Sequence, residues 1–534
     1  MIARKSFVIV ISQFFTLLLG WIGLVVLTKL WGGFAPEALG IIGFAMSFLA
    51  LFNFIADMGF TRAHVKRISE GEDIGVCIST YATIKIFLTM LMTAVIFAAI
   101  FVWKNVLNRK FYDATTESVV IVFIFYYVFL NIQQIAISTF EGTKEIAKRE
   151  IARSIGTLIK VPLTVLVALA GVIIVGKASV SPAINWPPMF QPLQQFIATH
   201  AVGSLAITYV FSAVATVFAG IYFLRKYPWK KPSWKLGKSY FSFAFPMMLV
   251  SIIGVISVNV DKIMIGYFWT AKEVGYYFSV QQVLQIAIVF PTAVCTVLLP
   301  TFSEYYSLKY FQRIRETIHL AERYISMVVT PVVVVIIIFA NQVINIMFNG
   351  AFLPATSVLI TLMVYVLISG LTMPYSSLLS GIDKPGITAK IGFLTCIINI
   401  FLNCLLIPKW GVLSYFGING ITGAAIAMLA SSLFGFFGLR WLAKKYTQIN
   451  FLQNHTPRHI LAGIVMGGIL YCSNLLIPVT RWYHLLVFAL VGLLIYLGVL
   501  FCLKEFNKED LKFFLYLLYP KETLRYVKSE LKTK

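Results

Sequence analysis

The stretch HLLVFALVGLLIYLGVLFCL fills positions 484–503 without a single Lys, Arg, Asp or Glu. About 20 apolar residues are what a helix needs to cross the hydrocarbon of a bilayer. Similar runs precede it at 6–30, 38–59, 79–103, 116–141, 151–176, 199–224, 239–268, 275–300, 318–340, 354–380, 387–407, 420–442 and 459–478. The composition agrees. Hydrophobic residues make up 59% of the 534 and charged residues 12%, about half the roughly 25% of a soluble domain. Too few polar residues remain to cover the surfaces of several soluble domains. The expected fold class is an all-α polytopic membrane protein with about 14 transmembrane helices.

Charge orients the helices. The net charge is +23, from 44 Lys and Arg against 21 Asp and Glu. In a soluble chain this excess would suggest nucleic acid. Here it reads as positive loops at an anionic inner leaflet, with no nucleic-acid partner. With the N-terminus inside, the inner segments collect Arg62, Lys66 and Arg67, then Lys144, Lys148, Arg149 and Arg153, the run 225–238, and Lys309, Arg313, Arg315 and Arg323. Lys444, Lys445 and the tail after Phe501 add to them. The outer segments hold Lys29, Lys104, Arg109, Lys110, Lys177, Lys272, Lys409 and Arg481. Both termini are then expected in the cytoplasm, in the cell membrane. Arg4 and Lys5 lead into a first span too long for a signal-peptide core, so no cleavage is expected. The six cysteines form no CxxC pair and read as small hydrophobes. The tail 504–534, alternating basic and apolar, fits an interfacial helix or a frayed basic tail.

The two halves echo one another. Gly40 and Ser69-Glu70 match Gly275 and Ser303-Glu304. Phe140-Glu141-Gly142 matches Leu379-Ser380-Gly381, and 79–101 lies over 317–339 without gaps, setting Lys85 against Arg323. Six spans in each half make a parallel repeat, with a pseudo-twofold along the membrane normal. The expected organisation is a six-helix lobe at 1–228, a second at 229–447, helices 13 and 14 at 448–503, and a basic tail at 504–534.

Charge at mid-membrane is costly, about 2.5–3.5 kcal/mol on insertion scales. Lys85, Lys160 and the pair Asp261-Lys262 lie inside spans and are the candidate substrate-binding residues. Asp261 and Lys262 point about 100° apart on a helix and do not face each other. Asp57, Glu141, Arg153 and Arg323 lie near inner helix ends, where salt bridges or anchoring explain them. The deep charges lean cationic, which suits an anionic head group such as a pyrophosphate. Pro162, Pro246, Pro291, Pro331 and Pro374 interrupt spans and are candidate kinks. Gly237-Lys238-Ser239 ends like a P-loop, but Pro232 stands where that loop needs Gly. His455 and His459 flank Pro457 with no acidic third ligand. No metal, cofactor or enzymatic activity is expected.

On these residues the chain resembles the oligosaccharide flippases of polysaccharide biosynthesis, within the multidrug/oligosaccharidyl-lipid/polysaccharide exporter superfamily. The resemblance rests on Val260-Asp261-Lys262-Ile263-Met264-Ile265-Gly266 with Glu273-Val274-Gly275-Tyr276-Tyr277. It extends to Ser380-Gly381-Ile382-Asp383-Lys384-Pro385, Asn399, Asn403, the stretch 417–425, and Leu39-Gly40-Ile41-Ile42-Gly43 with Asp57-Met58-Gly59-Phe60. It implies a flippase moving a polyprenyl (pyro)phosphate-linked oligosaccharide between leaflets by alternating access. H+ or Na+ would be the coupling ion, membrane lipids the surroundings, and glycan-assembly enzymes further partners. Four alternatives compete with it, one of them a non-transporting scaffold, against which the buried charge argues. A multidrug exporter of the superfamily usually has 12 spans and acidic lobes. A peptidoglycan-precursor flippase carries several cavity arginines. A membrane glycosyltransferase needs a larger outer loop than 177–198.

Overall fold

In the computed structural model the described residues are 2–106, 113–173, 180–412, 420–447, 455–477 and 479–505. They form α-helices, short 3-10 turns and a π-helical turn at Val102–Val106, with one isolated bridge between Val172 and Val180. The tail beyond Glu505 and part of the stretch 417–425 lie outside them. Thirteen segments are long and apolar enough to cross a membrane. The first, Ser12–Asp57, has 46 residues. As one helix it would measure about 69 Å, more than twice the ~30 Å of hydrocarbon. It is in fact two helices, α1 (Ile2–Trp31) and α2 (Ala35–Asp57), separated at Gly32, whose φ is +52°. The sequence-based count of 14 is thereby met.

The chain divides into two compact units, Ile11–Phe278 and Ser279–Lys528, the latter joined by Met1–Val10. The first unit continues from α2 with α3 (Phe60–Ser69), α4 (Ile74–Phe101), α5 (Ala114–Gly142), α6 (Ile146–Leu169), α7 (Gln191–Thr199), α8 (Ala201–Leu224) and α9 (Trp234–Phe268). Helix α8 packs on α5 and α6, and α9 on α2. Phe60, Tyr81, Leu88 and Tyr240 are among the core side chains that join α3, α4 and α9. Helix α7 lies in the segment read from sequence as the longest outer loop.

Helix α10 (Ala271–Ser307) begins in the first unit and continues into the second. At its start Gly275 meets Gly40 of α2. A Cβ on either glycine would overlap backbone of the other helix, at Ala271 or Pro36. Only glycine permits that approach.

The second unit adds α11 (Phe311–Ile338), α12 (Ala340–Met347), α13 (Thr356–Gly381), α14 (Pro385–Leu406), α15 (Gly420–Thr447), α16 (His455–Leu476) and α17 (Trp482–Cys502). Its core includes Phe302, Ile314, Tyr375, Leu378 and Ala443. Helices α16 and α17 pack on α11 and on each other.

Each unit contains the same local device. In the first, Ser69 Oγ donates to the Gly142 carbonyl at 3.4 Å. In the second, Ser303 Oγ donates to the Gly381 carbonyl at 3.2 Å. Helices α5 and α13 then close alike. The N–H of Glu145 reaches the Phe140 carbonyl, and that of Lys384 reaches the Leu379 carbonyl, across Lys144 and Asp383 at positive φ. After the serines, α3 ends at once whereas α10 continues to Ser307.

None of the five prolines ends its helix. Helices α6, α9, α10, α11 and α13 run unbroken past Pro162, Pro246, Pro291, Pro331 and Pro374. The break falls instead at Met58 and Gly59, both left-handed, with φ of 41° and 83°. The cysteines are unpaired, and Cys404, Cys472 and Cys502 are exposed on helix faces rather than buried.

Candidate functional site

The break after α2 frees carbonyls at its C-terminus, where a cation is favourable. Lys85, on α4, supplies one. Its Nζ donates to the Ala56 carbonyl at 2.8 Å and lies 3.6 Å from Asp57 Oδ1. The lysine side chain is 2% exposed and the aspartate 31%. Asp57 also accepts from Thr61 Oγ1. Thr61 in turn lies 2.9 Å from the Tyr81 hydroxyl. The His64 ring stacks on Tyr81 at 4.3 Å, with its nitrogens 3.1 Å from Tyr240 Oη and 2.9 Å from Thr139 Oγ1. Burial pushes the His64 imidazole down to about 3. The result is a polar chain linking α2, α3, α4, α5 and α9, buried except at Thr61 and the Asp57 carboxylate, which are half-buried.

Lys160 stands in the middle of α6. Its Nζ lies 4.2 Å from the centroid of the Tyr209 ring of α8. Tyr209 packs edge-on to Tyr126 and tilted to Phe123. Lys160 is half-buried, and this ring is the partner described for it. On α9, buried Asp261 accepts from the Tyr277 hydroxyl at 2.7 Å, and Lys262 donates to the Val258 carbonyl one turn back at 3.0 Å. The four candidate residues thus sit on α4, α6 and α9, each with its own neighbours. Asp57, set apart in the sequence reading as a helix-end residue, is the ion-pair partner of Lys85. Glu141 pairs with Arg149 at 3.2 Å, as expected near a helix end.

The second unit holds charge networks that the sequence reading did not assemble. Glu322 of α11 accepts from Arg440 at 2.7 Å and from the Tyr375 hydroxyl at 2.5 Å. Glu505, just beyond α17, accepts from Arg323 at 2.8 Å and Arg458 at 3.0 Å and lies 2.5 Å from His455 Nδ1. Ser326 Oγ is 2.6 Å from His459 Nδ1. These contacts fasten α11 to α13 and α15 on one side and to α16 and the end of α17 on the other. Glu322-Arg323, two opposite charges inside an apolar run, was the signal available. Tyr277 lay in the stretch that carries the family resemblance, whereas Tyr209, one of 25 tyrosines, carried no signal. Among the described residues no three His, Cys, Asp or Glu side chains converge as metal ligands.

Two family profiles, each described as polysaccharide biosynthesis protein, match residues 2–184 and 195–357. The chain is 26% identical over 267 residues to the "Probable low-salt glycan biosynthesis flippase Agl15" of Haloferax volcanii, covering 50% of this chain and 55% of that protein. The chain spans about half the length of the curated relatives it matches. Its fold is similar to that of the lipid II flippase MurJ in an inward closed conformation. The TM-score there is 0.69 at 16% identity, over 92% of this chain and 97% of that one. An inward-facing multidrug-resistance transporter of the MATE family, in the MOP superfamily, aligns with a TM-score of 0.61 at 15% identity, over 82% and 99%.

Proposed function

Starting from a chain that belongs, over residues 2–184 and 195–357, to the polysaccharide biosynthesis proteins, we infer that this multi-pass membrane protein is a flippase for a lipid-linked oligosaccharide. The carrier is a polyprenyl phosphate or pyrophosphate, and the direction is from the inner to the outer leaflet of the cell membrane. The relatives named as flippases support the task. The observation that carries the substrate class is Lys160. Lys85 has Asp57 beside it, and Lys262 is held within its own helix next to Asp261. Lys160 faces an aromatic ring with no carboxylate among its described partners. A half-buried ammonium on such a ring attracts an anionic group without being neutralised first. It serves as a point charge for a phosphate and not as a bidentate clamp.

On this reading the phosphate and sugars pass the first unit's polar groups by alternating access while the prenyl chain stays in lipid. An H+ or Na+ gradient drives the cycle. The test is the sidedness of lipid-linked oligosaccharide in energised and de-energised membranes, with and without the protein. Its loss should trap the glycan on the inner leaflet while synthesis continues. Lys160→Gln should cut translocation about tenfold or more with unchanged membrane abundance. Unchanged sidedness together with new drug sensitivity would replace this reading with a multidrug exporter.

A further inference from the structure

A cavity of about 780 Å³ opens beside α3, α4 and α9. That lies within the roughly 300–1,000 Å³ of ligand pockets. Its walls are Phe60, Ile84, Phe87, Leu88 and Phe241, and Met58, next to Asp57, reaches it. Ser233 N–H donates to Thr80 Oγ1 at 2.9 Å, tying the start of α9 to α4 at the cavity's polar end. At that rim stand Trp234, 78% exposed, and Lys238, whose Nζ is 6.0 Å from the Trp234 ring. Exposed Lys235 lies between them in sequence.

The cavity has a defined depth. Helix α4 has 28 residues, about 42 Å, and so overruns the ~30 Å hydrocarbon. Its N-terminal end, near Thr80, lies at head-group level when Trp103 and Lys104 mark the opposite surface. Phe87 and Leu88, about two turns further on, lie within the hydrocarbon. The cavity therefore leads from a lysine and a tryptophan at the membrane boundary down into an aromatic trough.

We propose that this trough binds the phosphate-proximal part of a single prenyl chain, with Lys238 facing its phosphate. The charge at the rim matches an anionic head, and one trough with one lining cation fits a one-chain, one-phosphate lipid better than a two-chain phospholipid. The positive-inside bias sets this end at the inner leaflet, where a carrier would load. The proposal deepens the flippase reading and rests on it for the identity of the carrier.

The test uses the full chain in phosphatidylcholine nanodiscs with a glycan-free polyprenyl phosphate carrying a diazirine near the phosphate. Crosslinks should map to Thr80–Leu88 and Ser233–Ser242. Unlabelled polyprenyl phosphate should compete, and phosphatidylglycerol at equal mole fraction should not. Thr83→Trp, at an exposed position lining the trough, should cut labelling about tenfold. Phe97→Trp, on α4 beyond the trough, should leave it unchanged, and Lys238→Gln should lower it several-fold. Labelling spread evenly over the helices, or equal competition by phosphatidylglycerol, overturns the proposal without any variant having to fold. Glycan translocation without labelling here overturns the trough and spares the flippase reading. Labelling here without translocation does the reverse.

Discussion

The Glu322 and Glu505 networks of the second unit and the Asp57 and Lys160 sites of the first treat buried charge in opposite ways, although Arg149 and Glu150 also close a buried pair in the first. In the second, Glu322 and Glu505 have side chains 0% exposed, and each meets at least one arginine with hydrogen-bond geometry. In the first, Asp57 remains 31% exposed beside a buried lysine, and Lys160 rests on an aromatic ring. A sealed pair whose valences are used up is a fastener. A pair open on one side, or a cation without a carboxylate, still has electrostatic work available for something that arrives. The contrast separates charge that assembles helices from charge that can meet a substrate, although both sit at a depth where charge is rare.

The most damaging test of this contrast is Glu322→Gln. It leaves the Arg440 guanidinium buried without its counter-charge, at a cost of about 3–5 kcal/mol. Thermal melting and membrane abundance should both fall sharply, and Glu322→Leu combined with Arg440→Met should recover most of the loss. Asp57→Asn should cost less, about 1–2 kcal/mol, between the exposed and buried limits. It should reduce translocation more than abundance. If Asp57→Asn depletes the protein as thoroughly as Glu322→Gln, the difference between the units is lost.

A smaller effect comes from pH. His64 has its imidazole lowered from 6.5 to about 3, so the unfolded chain binds the extra proton in between. The stability that His64 contributes is complete above about pH 6.5 and declines as pH falls toward 3. Burial of Glu505 works to raise its carboxyl, but hydrogen bonds from Arg458 and Arg323 and the charge of His455 hold it below the usual 4.5. Its contribution is therefore present above that pH and lost below it. Between pH 7 and 5 the first unit should soften around His64. Hydrogen exchange resolved by peptide would show this, and His64→Gln should flatten the slope.

Most of the architecture was legible in the sequence because a membrane span is a one-dimensional signal. Length and apolarity alone mark α4 or α17. The short helices α7 and α12 escaped it, having neither the length nor the uniform apolarity. The site was half legible. Lys85 and Lys160 stood out because burying a charge is expensive wherever it occurs. Their partners did not, because Asp57 and Tyr209 come from other helices and such pairings leave no local pattern. Prolines misdirected the search for the broken helix, since neighbouring helices sustain a span past a proline. The break at Met58-Gly59 depends on two left-handed residues, of which only the glycine advertises the conformation.

The extra turn by which α10 outruns α3 has a consequence for how such a chain can change length. Four added residues rotate a helix by about 400°, some 40° past a whole turn. Because the four residues follow the serine, Phe302 and Ser303 keep their seats against Gly381, as Ile68 and Ser69 keep theirs against Gly142, while the helix end moves outward by about 6 Å. Two added residues upstream of the serine would turn it about 200° and leave the glycine facing the wrong side chains. Chain can thus be added beyond the serine without disturbing the glycine contact, whereas residues added upstream change the phase of that contact.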